Sequence, residues 1–481
     1  MLLKDLIEKV NIVSACADMD IDVTGISFDS RKTSAGDLFV ALRGYESDGH
    51  QFIGAAAEKG AVCILCEEAP KESVPYVVVS NTRKALAAAS AVWFGNPASK
   101  LKVIGVTGTN GKTTVTTLIK QVIEKVSGAK AGLIGTNGNM VADRELQTEH
   151  TTPESYDTQE LLAMMAQEGC EYAVMEVSSH ALHMDRVYGI DFEVGVYTNL
   201  SRDHLDFHDS IEEYANAKAK LFTMSRCCAV NIDDENAKIM IGEAAGEVFT
   251  YAIYNEAADL IAKSLQLYSD RVDFCALTIG KISRVVLQIP GMISVYNSLS
   301  VLSAAIMLGF DMDAVSAALN DCAGVKGRAE VVPTQGDFTV LIDYAHTPDA
   351  LKNIIITAHG FSKGRVVTLF GCGGDRDSEK RPLMGAIAAK NSDFVIVTSD
   401  NPRTEEPGAI INAILRGMED TETPYKVIEN RREAINWALE NSLPGDILIL
   451  AGKGHETYQI FGKEKKHFDE REVVAEYFAG I

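Results

Sequence analysis

The stretch 105-GVTGTNGKTT-114 sets Gly105, Gly108 and Gly111 ahead of Lys112 and Thr113. Glycines permit unusual backbone angles, the amides of such a loop and of a following helix attract anions, a lysine meets a terminal phosphate, and a threonine hydroxyl suits Mg²⁺. Nucleoside triphosphate binding by Gly108, Thr109, Asn110, Gly111, Lys112, Thr113 and Thr114 is therefore expected. The common G-x-x-x-x-G-K-[ST] loop would need glycine at Val106, so this is a variant.

Glu176 ends the apolar run YAVME, where a strand-end carboxylate can hold Mg²⁺ beside the loop, and Ser178, Ser179 and His180 follow it. His204 and His208 in RDHLDFH have the i,i+4 spacing of a zinc pair, but no third ligand is marked and a carboxylate-rich phosphate site suits the harder Mg²⁺. Cys63 and Cys66 have redox spacing, yet they lie in a strand-like apolar run and read as core thiols. Lys218 in YANAKAK reads, on its residues alone, as a lysine on the surface of a helix.

Such residues need elements to position them. Short β-branched runs end in polar clusters throughout the middle and last parts of the chain: VIGV before TGTNGKTT, YAVM before EVSSH, VGVYT before NLSRDHLD, FTVLI before DYAHTPD, VVTLF before GCGGDRD, FVIVT before SDNPRTEE, and DILIL before AGKGHE. Helical patterns separate most of them, which predicts buried parallel strands with crossover helices and ligands at the strands' carboxyl ends. Turn-rich FGNPASK (94–100) and GVKGRAEVVPTQGD (324–337) divide the chain into 1–98, 99–328 and 329–481. A length of 481 residues agrees with about three domains.

A net charge of −22 argues against nonspecific nucleic-acid binding, which needs clustered cations. No apolar run approaches the roughly 20 residues of a membrane span, and MLLKDLIEKV is unlike a signal peptide. Nine cysteines, an odd number, suit free thiols in a reducing compartment, so a cytoplasmic protein is expected.

In order, TGTNGKTT, HTTPES, MEVSSHAL, TNLSRDHLDFH, YANAKAKLF, YNSLS, GRAE, DYAHTPD, GGDRD, DNPR and AGKGHE resemble the motifs of the Mur ligases. The resemblance runs from DSRKTSAGDLFVAL (29–42) to AGKGHE (451–456). It implies an α/β fold of three domains: a central P-loop-type parallel-sheet ATPase domain (99–328), an N-terminal UDP-muropeptide-binding α/β domain (1–98) and a C-terminal, Rossmann-like, amino-acid-binding domain (329–481).

The resemblance also implies roles. Thr113, Glu176 and His204 would be metal ligands with carbamylated Lys218, and Asn297, Arg328 and Asp343 would contact the nucleotide. Ser30, Thr151, Thr152, Ser178 and Arg186 would hold the UDP-muropeptide, although Met184 stands where some relatives have Gln. Arg376, Asp400, Asn401, Pro402, Arg403, Gly452 and Glu456 would bind the acceptor amino acid. Arg403 offers a planar fork for a second carboxylate and Glu456 a partner for a distal ammonium, which predicts diaminopimelate over lysine, the meso isomer being what the resemblance implies. The expected reaction joins it to UDP-N-acetylmuramoyl-L-alanyl-D-glutamate with ATP and Mg²⁺ in peptidoglycan synthesis, in a monomer whose third domain closes over the second. Folylpolyglutamate synthetase, which shares the loop, should lack DSRKTSAGDLF and DNPR. A nucleotide-hydrolysing switch would turn over without an acceptor, and GCGGDRD lacks the full fingerprint of a dehydrogenase.

Overall fold

The computed structural model describes residues 1–44, 47–148, 150–201, 210–322 and 324–480. The chain forms two compact units, 1–251 with 303–310, and 252–302 with 311–481.

In the first unit, strands Gly25–Ser27, Asp37–Val40, Cys63–Cys66 and Tyr76–Val79 run parallel in that order, and Ile12–Cys16 pairs antiparallel with the last. Side chains alternate between two cores: Leu38, Val40, Cys63 and Leu65 meet Leu86 and Ala89 of helix Thr82–Trp93, whereas Phe39, Ile64 and Cys66 meet Ile53 and Ala56. Cys63 and Cys66 thus face opposite ways, and burial pushes their thiols up to about 12 and about 11. They are inert core thiols, as their surroundings in the sequence suggested.

The larger sheet of this unit orders Glu247–Ala252, Ser225–Asn231, Phe192–Tyr197, Lys102–Thr107, Tyr172–Glu176 and Ala131–Ile134 in parallel. Asn139–Val141 and Arg144–Leu146 extend it antiparallel. Lys102–Thr107 is central and apolar because neighbours bury it on both sides, so the polar residues after it emerge at the carboxyl end of the sheet. Gly105 lies inside this strand, where a Cβ would sit 2.8 Å from the Phe192 ring and 2.9 Å from Leu221. It is a packing glycine, not part of the phosphate loop.

The second unit holds a sheet ordered Glu330–Val332, Thr339–Asp343, Ile447–Ala451, Val366–Phe370, Phe394–Val397 and Tyr425–Val427, parallel except for the first strand. The last strand in sequence is therefore inserted between the second and the third. An antiparallel meander, Leu260–Leu267, Val272–Thr278 and Lys281–Leu287, belongs to this unit as well. Its alternating exposed and buried residues differ from the continuous apolar runs expected of the middle of the chain.

Candidate functional site

Gly108 (φ 149°) and Gly111 (φ 88°) shape the loop that follows Lys102–Thr107, and helix Lys112–Ser127 starts at once. At Gly108 a Cβ would fall 1.9 Å from Thr198 Oγ1, so only glycine fits. The loop is fastened from the neighbouring strand end: the Thr109 amide donates to the Asn199 carbonyl at 2.8 Å, the Asn110 amide to Asn199 Oδ1 at 3.0 Å, and Thr198 Oγ1 to the Asn110 carbonyl at 2.7 Å. Lys112 Nζ folds back on the carbonyls of Gly108 and Thr109, at 2.8 and 2.9 Å. Thr113 and Thr114, in the first turn of the helix, are buried.

Glu176 is 1% exposed at the end of the adjacent strand. Its Oε2 accepts from Thr113 Oγ1 and from Thr136 Oγ1, both at 3.1 Å, and its Oε1 from the Thr136 amide at 2.8 Å. Thr136 also touches Thr151 Oγ1 at 3.0 Å, while Thr152 Oγ1 donates to the Glu176 carbonyl at 2.8 Å. Ser178 caps helix Ser179–His183 through the Ala181 amide. Arg186 donates to the Thr152 carbonyl at 3.0 Å and pairs with Glu154 at 3.4 Å, and the Met184 sulfur lies 3.8 Å from its Nη2. Thr136, missed in the sequence, follows the strand Ala131–Ile134, so the strand-end rule would have found it.

Lys218 sits on helix Ile211–Thr223, capped by Ser210. Contrary to a surface position, it is 1% exposed: its Nζ donates to the Gly108 carbonyl at 3.0 Å and lies 4.4 Å from the Tyr214 ring centre. The sequence alone cannot say which face of a short helix meets the loop. His204 and His208 lie outside the described residues. Ser30 stands between Asp29 and Arg31, whose bidentate pair (2.9 and 2.7 Å) holds the Asp29 carboxyl down at about 2.

In the second unit, Asp400, Asn401, Pro402 and Arg403 follow strand Phe394–Val397. Arg403 takes a left-handed φ of 52°, fixed because its amide donates to Ile460 O (3.1 Å) and its carbonyl accepts from Gly462 N (2.7 Å) of the hairpin Tyr458–Phe461 and Glu464–His467. Its Nη1 donates to the Gly374 carbonyl at 2.8 Å, and among the described residues it has no carboxylate partner. Arg376, exposed, reaches only the Asp375 carbonyl among the described residues. Its loop is tied down by Glu405, which accepts from the Asp375 amide at 2.6 Å and pairs with both ends of the Arg381 guanidinium at 2.8 Å.

Glu456 Oε2 accepts from Asn401 Nδ2 at 3.0 Å and from Lys453 Nζ at 3.1 Å. Burial pushes the Asp400 carboxyl up, but Lys453 and Arg431 outweigh it and hold it below the usual range. Gly452 (φ 111°) donates its amide to the Asp343 carbonyl at 3.0 Å. The Asp343 carboxylate accepts from the amides of Ala329 (2.7 Å) and Ala345 (2.9 Å), and burial raises its pKa. Arg328 lies over the Tyr344 ring, 5.2 Å from its centre. Asn297 is buried on helix Met292–Met307.

A glycine-rich loop before a helix, a strand-end glutamate bonded to the helix's second residue, and a parallel-sheet unit with Arg403 on a loop after one of its strands define a class: the chain belongs to the Mur ligase family. The family's catalytic domain is matched over residues 22–97, its middle domain over 106–305 and its glutamate ligase domain over 327–454. More particularly, the chain is 47% identical over 463 residues to the UDP-N-acetylmuramoyl-L-alanyl-D-glutamate--2,6-diaminopimelate ligase of Caldanaerobacter subterraneus subsp. tengcongensis, covering 96% of this chain and 95% of the relative. A solved structure of a ligase of that name superposes with a TM-score of 0.74 at 32% identity, covering 100% of this chain and 99% of the other. The fold is shared with the MurF ligase of Thermotoga maritima in complex with ADP, at a TM-score of 0.62 and 20% identity over 96% of this chain and 98% of the other.

Proposed function

We propose that the protein joins 2,6-diaminopimelate to UDP-N-acetylmuramoyl-L-alanyl-D-glutamate at the expense of ATP, a step of peptidoglycan precursor synthesis. Full-length similarity to ligases of that name supports the reading. The observation that carries it is Arg403, a guanidinium without a carboxylate partner among the described residues, on the loop that also supplies Asn401 to Glu456. An acceptor with both a distal carboxylate and a distal ammonium suits that pair, whereas lysine would leave the arginine uncompensated.

The terminal carboxylate of the muropeptide attacks the γ-phosphorus of ATP, and ADP leaves. The acceptor amine then attacks the acyl carbon of the resulting acyl phosphate, expels phosphate and loses a proton. Lys112 and the loop amides neutralise charge on the transferred group, so positioning supplies most of the catalysis. Thr113 Oγ1 and Glu176 Oε2, 3.1 Å apart, form an oxygen donor set that fits a hard divalent cation. Mg²⁺ would bind there and neutralise phosphate charge.

Within the same proposal, His204 and a carbamylated Lys218 complete the metal ligands, the neutral Lys218 amine adding to CO₂ with loss of a proton. Asn297, Arg328 and Asp343 contact the nucleotide, while Ser30, Thr151, Thr152, Ser178 and Arg186 hold the muropeptide. The acceptor meets Arg376, Asp400, Asn401, Pro402, Arg403, Gly452 and Glu456, and is the meso isomer. The enzyme acts as a cytoplasmic monomer with domains at 1–98, 99–328 and 329–481. Incubation with ATP, Mg²⁺ and the UDP-dipeptide, with diaminopimelate or lysine as acceptor and product mass as readout, tests the reading. Preferential addition of lysine would overturn it.

A further inference from the structure

Lys453 is fully buried, 0% exposed, in the turn after Ile447–Ala451. Its Nζ has three hydrogens and three acceptors, Asp400 Oδ1, Asn401 Oδ1 and Glu456 Oε2, each at 3.1 Å. Asp400 follows Phe394–Val397, which is separated from Ile447–Ala451 by strand Val366–Phe370, so the lysine reaches across the carboxyl end of an intervening strand. Gly371 at that end makes room: a Cβ there would lie 2.4 Å from the Thr398 carbonyl and 3.0 Å from the Asp400 amide.

Two consequences follow from the chemistry. Lys453 and Asn401 together occupy Glu456 Oε2, while Oε1 has no hydrogen bond among the described residues. The carboxylate is thus held with one oxygen presented to an incoming donor. Charge is also set: within this hydrogen-bonded cluster Asp400 and Glu456 against one ammonium leave a single net negative charge, while Arg431, which acts on Asp400 from outside the cluster, is paired with its own buried partner Glu470 at 2.8 Å. Arg403 supplies one positive charge. A ligand end bearing one ammonium and one carboxylate matches this balance, whereas two uncancelled carboxylates would favour a bare ammonium.

We infer that Lys453 is a positioning and specificity residue for the acceptor: it pins Glu456 for the distal ammonium and cancels one carboxylate, so that the pocket takes a zwitterionic end group over a simple cation. The inference rests on the proposed ligase reaction.

The test is steady-state kinetics of the full-length protein with diaminopimelate and lysine as acceptors. Lys453→Met is expected to raise KM for diaminopimelate about 20-fold, with a smaller change in kcat and none in KM for ATP, and to cut the diaminopimelate-to-lysine preference about tenfold or more. In the Asp400→Asn, Lys453→Met pair the net charge returns while Glu456 stays unpinned. Its KM should remain high and its preference recover. Should the single variant fail to fold, the charge-balanced pair carries the test through its raised KM for diaminopimelate alone. Folded variants with unchanged KM and preference, or with ATP and both acceptors weakened equally, would overturn the inference. Wild-type protein that adds no diaminopimelate would instead defeat the function on which it rests.

Discussion

The Nζ atoms of Lys112 and Lys218 converge on one atom, the carbonyl oxygen of Gly108, at 2.8 and 3.0 Å. Two lysine side chains from different helices are thus held at the loop. The Gly108 peptide must be turned to receive both, which its φ of 149° allows and a side chain would forbid.

Replacing Lys112 with Met should cut kcat by about 10² to 10³, as expected when one donor to a developing charge is lost. The thermal midpoint should move little, because a methionine keeps the helical backbone and loses the Nζ bonds to the loop carbonyls. Gly108→Ala should lower both, since its methyl would collide with Thr198 Oγ1 at 1.9 Å. Activity and thermal unfolding measured on the same samples separate the two outcomes.

Glu176→Gln keeps an oxygen for the Thr136 amide but removes the charge and sets an amide nitrogen near a donor. A fall in kcat of about 10², with a higher Mg²⁺ concentration for half-maximal rate, is expected from a Mg²⁺ titration of both proteins.

Arg403→Ala should raise KM for diaminopimelate by about 10² and leave lysine nearly unaffected, because a charge-assisted bidentate contact is worth a few kcal/mol. Arg403→Lys should recover little of the loss, since a point charge cannot replace the planar fork. Competition between the two acceptors, read by product mass, checks both.

Arg431 (0% exposed) and Glu470 (1%) form a buried pair, and Arg431 also donates to the Ala451 carbonyl at 2.8 Å. Arg431→Met strands the Glu470 carboxylate and should destabilise the second unit by about 3–5 kcal/mol. Trp437 lies on the same helix, Arg431–Glu440, so its fluorescence in urea reports this transition.

His455 adds a pH dependence. Burial first, then the charges of Arg328, Lys326 and Arg471, lower its imidazole from 6.5 to about 4. The unfolded chain therefore binds this proton first. The histidine's contribution to stability is complete above pH 6.5 and is lost as pH falls towards 4, by at most about 3 kcal/mol. His455→Phe should flatten that part of the stability–pH curve, measured by urea unfolding between pH 4 and 7.

Strand-bearing runs such as YAVM and DILIL were legible because a strand buried on both faces must be apolar along its whole length, and glycine, lysine and threonine in TGTNGKTT announce their chemistry locally. Family membership was legible too, since ordered motifs survive without any knowledge of distance. The antiparallel meander was not, because its alternating pattern tells of one covered face without saying which part of the chain covers it. Burial of Lys218, the place of Thr136 beside Glu176, and the reach of Lys453 to Asp400 were decided only by tertiary structure. Each depends on strand order, the last of them on the insertion of Ile447–Ala451 between earlier strands, and such order is set by long-range packing that no local spacing encodes.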